Sequence, residues 1–216
     1  RMLPIGFIFS RLPRLVRDVG EQLGKKVNLH IAGEATELDK SVIERISDPI
    51  LHMVRNSLDH GIESPAERLA AGKPETGQIR LEAHQRGGNV IIEIEDDGRG
   101  LSLEKIQARA IERGLIPASS KLNAEQAYEL IFQPGFTTST SVSDLSGRGV
   151  GLDVVRNNIY ALGGNVDIDS QAGRGTRFTI RMPLTLAILD GLGVEVGQQT
   201  YIVPLANITE SLRPTQ

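Results

Sequence analysis

The chain contains no cysteine. Disulfides and thiolate chemistry are therefore excluded, which suits a reducing compartment. No apolar run is long enough to cross a membrane, and no secretory leader is visible. The formal net charge is only −3, so no positive excess invites nucleic acid. Several common catalytic devices are missing too. Neither Gly24-Lys25-Lys26 nor Gly72-Lys73-Pro74 has the earlier glycine, or the following Ser or Thr, that a P-loop requires. No GxGxxG opens a strand-turn-helix unit of the dinucleotide-binding kind. No HExxH or cysteine cluster supports zinc. A nucleotide, if bound, must sit in another kind of pocket.

The 216 residues suffice for one substantial core, or for a domain plus a fragment. Apolar residues make up 39% of the chain and alternate in places, which argues against disorder. The first residue is Arg1, so a piece of a longer or processed protein is expected.

Residues 1–9 are apolar but broken by Pro4 and Gly6, and read as an incoming connector or a packed extension. Ser10 is placed to cap a helix running to Leu23, and Val27, Leu29 and Ile31 alternate as a strand. Asp39 is placed to cap a long helix that Pro49 can kink and Gly61 stops. Residues 62–77 form a polar connection with a short helix near Ala66–Ala70. A hairpin follows, turning at Arg86-Gly87-Gly88-Asn89. Ser102 starts a helix to about Arg113, and Asn123 with Gln126 forms a capping box for another from Ala124 to Phe132. Residues 133–149, rich in Gly, Ser and Thr, predict a long lid-like loop. Helix returns over Val150–Leu162, then a hairpin turns at Gln171-Ala172-Gly173-Arg174, and two strands flank Gly197-Gln198-Gln199.

Two stretches carry candidate chemistry. The helix DPILHMVRNSLDHG places His52, Arg55, Asn56, Asp59 and His60 among apolar residues. His52 and Asn56, four apart, share a face. Such a face either lines a ligand cleft or forms a satisfied polar network. The second stretch, IEIEDDGRG, is a strand ending in two carboxylates before a glycine-rich turn.

The first stretch resembles the N box of the GHKL ATPases, and Asp96-Asp97-Gly98-Arg99-Gly100 resembles their DxGxG box. Gly147-Arg148-Gly149-Val150-Gly151 and Gly173-Arg174-Gly175-Thr176 resemble their later glycine boxes, in the same order. TELD at 36–39, FQPGFTT at 132–138 and SGRGVGLDVV at 146–155 are similar to chemotaxis histidine kinases of the CheA type.

The resemblance implies a two-layer α/β sandwich of the GHKL, or Bergerat, type, with a mixed sheet under helices and ATP between the layers. It implies a connector from a missing dimerisation domain at 1–9, an ATP-binding catalytic domain at 10–184, and at 185–216 the truncated start of an SH3-like CheW-type regulatory domain. Asn56 is then the Mg²⁺ ligand, since Mg²⁺ prefers oxygen donors. His52 orients the incoming imidazole or shuttles a proton. Arg148 adds charge at the γ-phosphate or points to solvent. Asp96 accepts from the adenine amino group, with Thr176 as its helper and Gly98 and Gly100 giving the base room. Gly147, Gly149, Val150 and Gly151 cradle phosphate at a helix start. Arg55 and His60 contact phosphate or brace the helix, Asp59 belongs to the nucleotide site, and Phe132 meets the nucleotide or anchors the core.

The implied reaction is phosphoryl transfer from ATP to a histidine on a separate phosphotransfer domain of the same protein, in two-component chemotaxis signalling. None of His30, His52, His60 and His84 has the surroundings of that acceptor. A CheW-like adaptor and chemoreceptors are the further implied partners, giving a cytoplasmic protein tied to membrane receptor clusters without insertion of its own. Two other classes are an ATP-driven conformational clamp and a non-catalytic nucleotide-binding scaffold.

Overall fold

The computed structural model describes residues 1–136, 151–184, 191–196 and 199–204. Strand β1 (Met2–Pro4) pairs antiparallel with β3 (Glu37–Asp39), and α1 (Gly6–Phe9) follows β1. Ile5, Ile8 and Phe9 are fully or almost fully buried, so residues 1–9 pack into the domain. The helix expected from Ser10 is divided. Ser10 donates to the Phe7 carbonyl at the end of α1, and α2 (Leu12–Gln22) starts after Arg11 without a side-chain cap. Burial of Ile5, Ile8 and Phe9 overrides the local capping signal here.

The main sheet has the order β2-β4-β5-β7-β6, from β2 (Val27–Ala32), β4 (Gly77–Arg86), β5 (Asn89–Asp96), β6 (Asn165–Gln171) and β7 (Gly175–Pro183). β2 runs parallel to β4 and the other pairs are antiparallel, so the sheet is mixed as expected. Gly87 and Gly88 both have positive φ, 58° and 77°, which the two-residue β4–β5 turn requires. Ile79, Leu81, Ile92, Ile94 and Ile180 alternate onto one face and bury against helices, while Arg80, Glu93, Arg177 and Arg181 populate the other.

Helix α3 (Lys40–Asn56) supplies Val42, Ile43, Ile46, Ile50, Met53 and Val54 to the core over the sheet. Asp39 caps it by accepting from the Ser41 backbone N–H at 2.9 Å. Pro49 is buried within the helix. The short helix α4 (Pro65–Ala70) has a Ser64–Glu67 capping box. A second cluster joins α5 (Leu103–Glu112) to α6 (Ala124–Ile131) through Ile106, Ala110, Ala127 and Ile131. The Asn123–Gln126 capping box forms as expected. Helix α7 (Leu152–Tyr160) returns to the main core through Val155 and Ile159. Strands β8 (Gly191–Val196) and β9 (Gln199–Pro204) pair with each other as a hairpin.

Candidate functional site

The α-helical pattern of α3 ends at Asn56. Residues Ser57–Gly61 form a π-helical turn, closed by the Ile62 N–H on the Ser57 carbonyl at 2.7 Å. Such turns are rare and frequent at functional sites. Its free carbonyls need donors, and Lys25 supplies them. The Lys25 ammonium donates to the Leu58 and Asp59 carbonyls at 2.6 and 3.0 Å. Burial, then nearby Arg99, lowers the Lys25 pKa.

The π turn brings Ser57 against the end of β5. Asp96 is 4% exposed. Its Oδ2 accepts from the Ser57 hydroxyl at 2.8 Å and its Oδ1 from the Gly98 N–H at 3.0 Å. Burial raises its pKa to about 6, against the pull of hydrogen bonds from Ser57, Gly98 and Thr176. An ionised carboxylate has roughly four acceptor positions. Ser57, Gly98 and Thr176 take up to three of them, which leaves capacity for an amino group of a ligand.

Thr176 sits directly opposite Asp96 in the β5–β7 register and is 6% exposed. Its hydroxyl lies 3.0 Å from that of Ser170. Ser170 also accepts from the Leu101 N–H at 2.9 Å, and its carbonyl accepts from Tyr128 at 2.7 Å. Helix α6 and the loop after β5 are thereby tied to the β6–β7 hairpin.

Gly98 and Gly100 also pack closely against the chain's own backbone. A Cβ on Gly98 would lie 2.2 Å from the Gly61 carbonyl oxygen, and one on Gly100, at φ 67°, 2.2 Å from the Gln171 oxygen. The space they free is filled by the chain's own backbone.

His52 is half-buried on α3. Burial lowers its pKa, Arg55 adds to this, and Asp59 and Asp153 oppose it, which favours a neutral ring at pH 7. Asn56, one turn on and also half-buried, does not spend its side chain on capping the π turn. Asp59 lies 3.4 Å from Arg55 in an ion pair, and His60 is exposed. Gly151 is the N-cap of α7. Phe132 is buried in the main core under the Arg156 guanidinium, 4.8 Å from its ring centre, which fits the anchor role. Gly147, Arg148, Gly149 and Val150, with most of the expected lid, lie outside the described residues.

Sequence reasoning missed Ser57, Ser170, Lys25 and the ion pairs around Asp97. Ser57 had a signal, being next to Asn56 in an apolar helix. Lys25, the Ser170 contacts with Leu101 and Tyr128, and the Arg68–Asp97 pair join groups more than twenty residues apart. A groove of about 360 Å³ between α2 and β2 shares only Lys25 with this constellation.

A family profile described as "Histidine kinase-, DNA gyrase B-, and HSP90-like ATPase" matches residues 45–186. The chain is 55% identical over 214 residues to the chemotaxis protein CheA of Klebsiella aerogenes, covering 99% of this chain and 33% of that protein. It is 53% identical to CheA of Treponema pallidum, over 99% of this chain and 26% of the relative. It thus spans about a quarter to a third of such relatives. Among solved structures, the catalytic domain of histidine kinase ThkA aligns with a TM-score of 0.53 at 16% identity, covering 85% of this chain and 95% of that one. That likeness shows the shared fold.

Proposed function

The chain belongs to the histidine kinase-, DNA gyrase B- and HSP90-like ATPase family, and from that premise we propose that it transfers the γ-phosphoryl group of ATP to a histidine on a separate phosphotransfer domain, in chemotaxis signalling. The observation that carries the nucleotide part is the buried Asp96 carboxylate, held by Ser57 and Gly98 with acceptor capacity to spare. An adenine amino group can donate to it, and a guanine carbonyl at the same position cannot. Thr176, opposite in register, supports the same base.

Asn56 suits Mg²⁺, which commonly takes one or two protein oxygens plus substrate phosphates and water. When bound, the ion neutralises phosphate charge. Gly147, Gly149, Val150 and Gly151 are assigned to the phosphates, with Arg148 at the γ-position. Arg55 is assigned to the phosphate side, and its pairing with Asp59 holds both at the end of α3. A neutral His52 suits a group that accepts a hydrogen bond or proton from the incoming imidazole. Phosphoryl transfer depends chiefly on alignment, so the acceptor must be presented in line. His30 lies exposed on the sheet edge, bonded to Gln78 and away from the α3 face that carries His52 and Asn56. A dimerisation domain before the chain, a regulatory domain from residue 185, and an adaptor linking it to chemoreceptors in the cytoplasm belong to the same reading. No helix among the described residues is long and apolar enough to cross a membrane.

The test mixes this chain, labelled ATP, Mg²⁺ and a supplied phosphotransfer domain. Acid-labile, base-stable label should appear on that domain and not on this chain. Strong labelling of this chain alone would overturn the assignment.

A further inference from the structure

The connection from Gly61 to Gly77 delivers two cations to the loop after β5. Arg68 is fully buried. Its guanidinium donates to both carboxylate oxygens of Asp97 at 3.0 and 2.7 Å, to Glu63 at 3.1 Å and to the Pro74 carbonyl at 2.7 Å. The Lys73 ammonium donates to Glu63 at 2.7 Å, to the Asp97 carbonyl at 2.8 Å and to the Gly98 carbonyl at 2.7 Å. An ammonium has three N–H donors, and Lys73 has one acceptor for each. Asp97 also accepts from the Gln78 N–H at 2.8 Å. Two cations and two carboxylates thus close a network with no net charge.

The consequence follows from peptide planarity. The Asp97 carbonyl and the Gly98 N–H belong to one trans peptide unit and point in opposite directions. Lys73 holds the carbonyl end, and the N–H end donates to Oδ1 of Asp96 at 3.0 Å. Fixing one end of the unit aims the other. We propose that Lys73, held by Glu63 and backed by the Arg68–Asp97 pair, is a positioning residue for base recognition: it orients the peptide that orients the Asp96 carboxylate, and so sets the preference for adenine over guanine. This rests on Asp96 being the base-reading group. Lys73 acts through the backbone.

The experiment measures ATP and GTP affinity by calorimetry with Mg²⁺, on the full chain and on Lys73→Met, Lys73→Arg and the Glu63→Gln/Lys73→Met pair. Lys73→Met keeps the apolar stem and removes the donors. Its ATP affinity should fall about tenfold, the scale of one good hydrogen bond, with GTP affinity nearly unchanged. Lys73→Arg, which can still reach the Asp97 carbonyl, should recover part of the ATP preference. If Lys73→Met does not fold, the double variant, which leaves less unpaired charge, is read the same way. A role confined to stability would lower the melting temperature and leave the ATP-to-GTP ratio of the folded protein intact; that result overturns the proposal. Equal ATP and GTP affinity in the parent chain would instead remove the adenine assignment itself, and this proposal with it.

Discussion

The Ser57 hydroxyl donates to Oδ2 of Asp96 at 2.8 Å, joining the π turn to the end of β5 where both residues are buried. Ser57→Ala would leave that oxygen short of a donor in a place water reaches poorly. The expected loss is about 1–3 kcal/mol at pH 7 by urea denaturation. It should shrink at pH 5, where the carboxyl is mostly protonated and needs the donor less.

Asp96 makes stability depend on pH in a stated direction. Its folded-state pKa of about 6 lies above the ordinary 3.8, so the folded chain holds the extra proton between these values. Stability from this group is therefore full below about pH 4, falls as pH rises to about 6, and is level above. The span is about 3 kcal/mol, and Asp96→Asn should abolish it in pH-resolved denaturation curves. ATP binding should run the other way, tightening as pH rises through 6, because the ionised carboxylate is the form that accepts. Affinity equal at pH 5 and pH 7.5 would contradict the role.

Gly173 and Gly175 flank the same hairpin turn and differ in what a side chain would meet. Gly173, at φ 79°, has nothing within 4 Å of a built Cβ, and Gly175, at φ 116°, would place one 1.8 Å from the Asp96 carbonyl. Gly173→Ala should cost about 1 kcal/mol, from conformation alone. Gly175→Ala should cost distinctly more and weaken ATP binding, as the β7 strand is pushed from Asp96. Parallel urea titrations of the two variants check the ordering.

Asn56→Ala should leave Mg²⁺-free nucleotide binding unchanged and remove the gain that Mg²⁺ brings. Calorimetry with and without the ion reads both. An undiminished Mg²⁺ effect would take the ligand role from Asn56.

His52→Gln should lower the rate of transfer to the acceptor domain by about a hundredfold, the lower range for proton-transfer assistance, while ATP affinity changes little. Equal losses in both would make His52 a binding residue.

The elements legible in advance were those set by neighbours in sequence. The Gly87-Gly88 turn, the Asn123–Gln126 capping box, the Asp39 cap and the alternation of β4 and β5 all depend on contacts within a few residues. Their residue types alone determine the local backbone. So does the presence of Asp96 at a strand end and of His52 and Asn56 four apart on a helix, which is why the family was readable from its motifs.

What only the tertiary structure decided involves groups far apart along the chain. The sequence could not say that Ser57–Gly61 leaves the α-helical path, because that turn is stabilised by Lys25, more than thirty residues away. Nor could it separate a Ser10 cap from a Ser10 that closes α1, since burial of Ile5 and Phe9 and pairing of β1 with β3 settle the matter. Glu63, Arg68 and Lys73 lie in a stretch whose composition reads as solvated loop, and Asp97, their partner, follows β5. Charged side chains look alike in sequence whether they face water or one another. Only the packing of the connection under the β5 loop removes the water and makes their pairing obligatory.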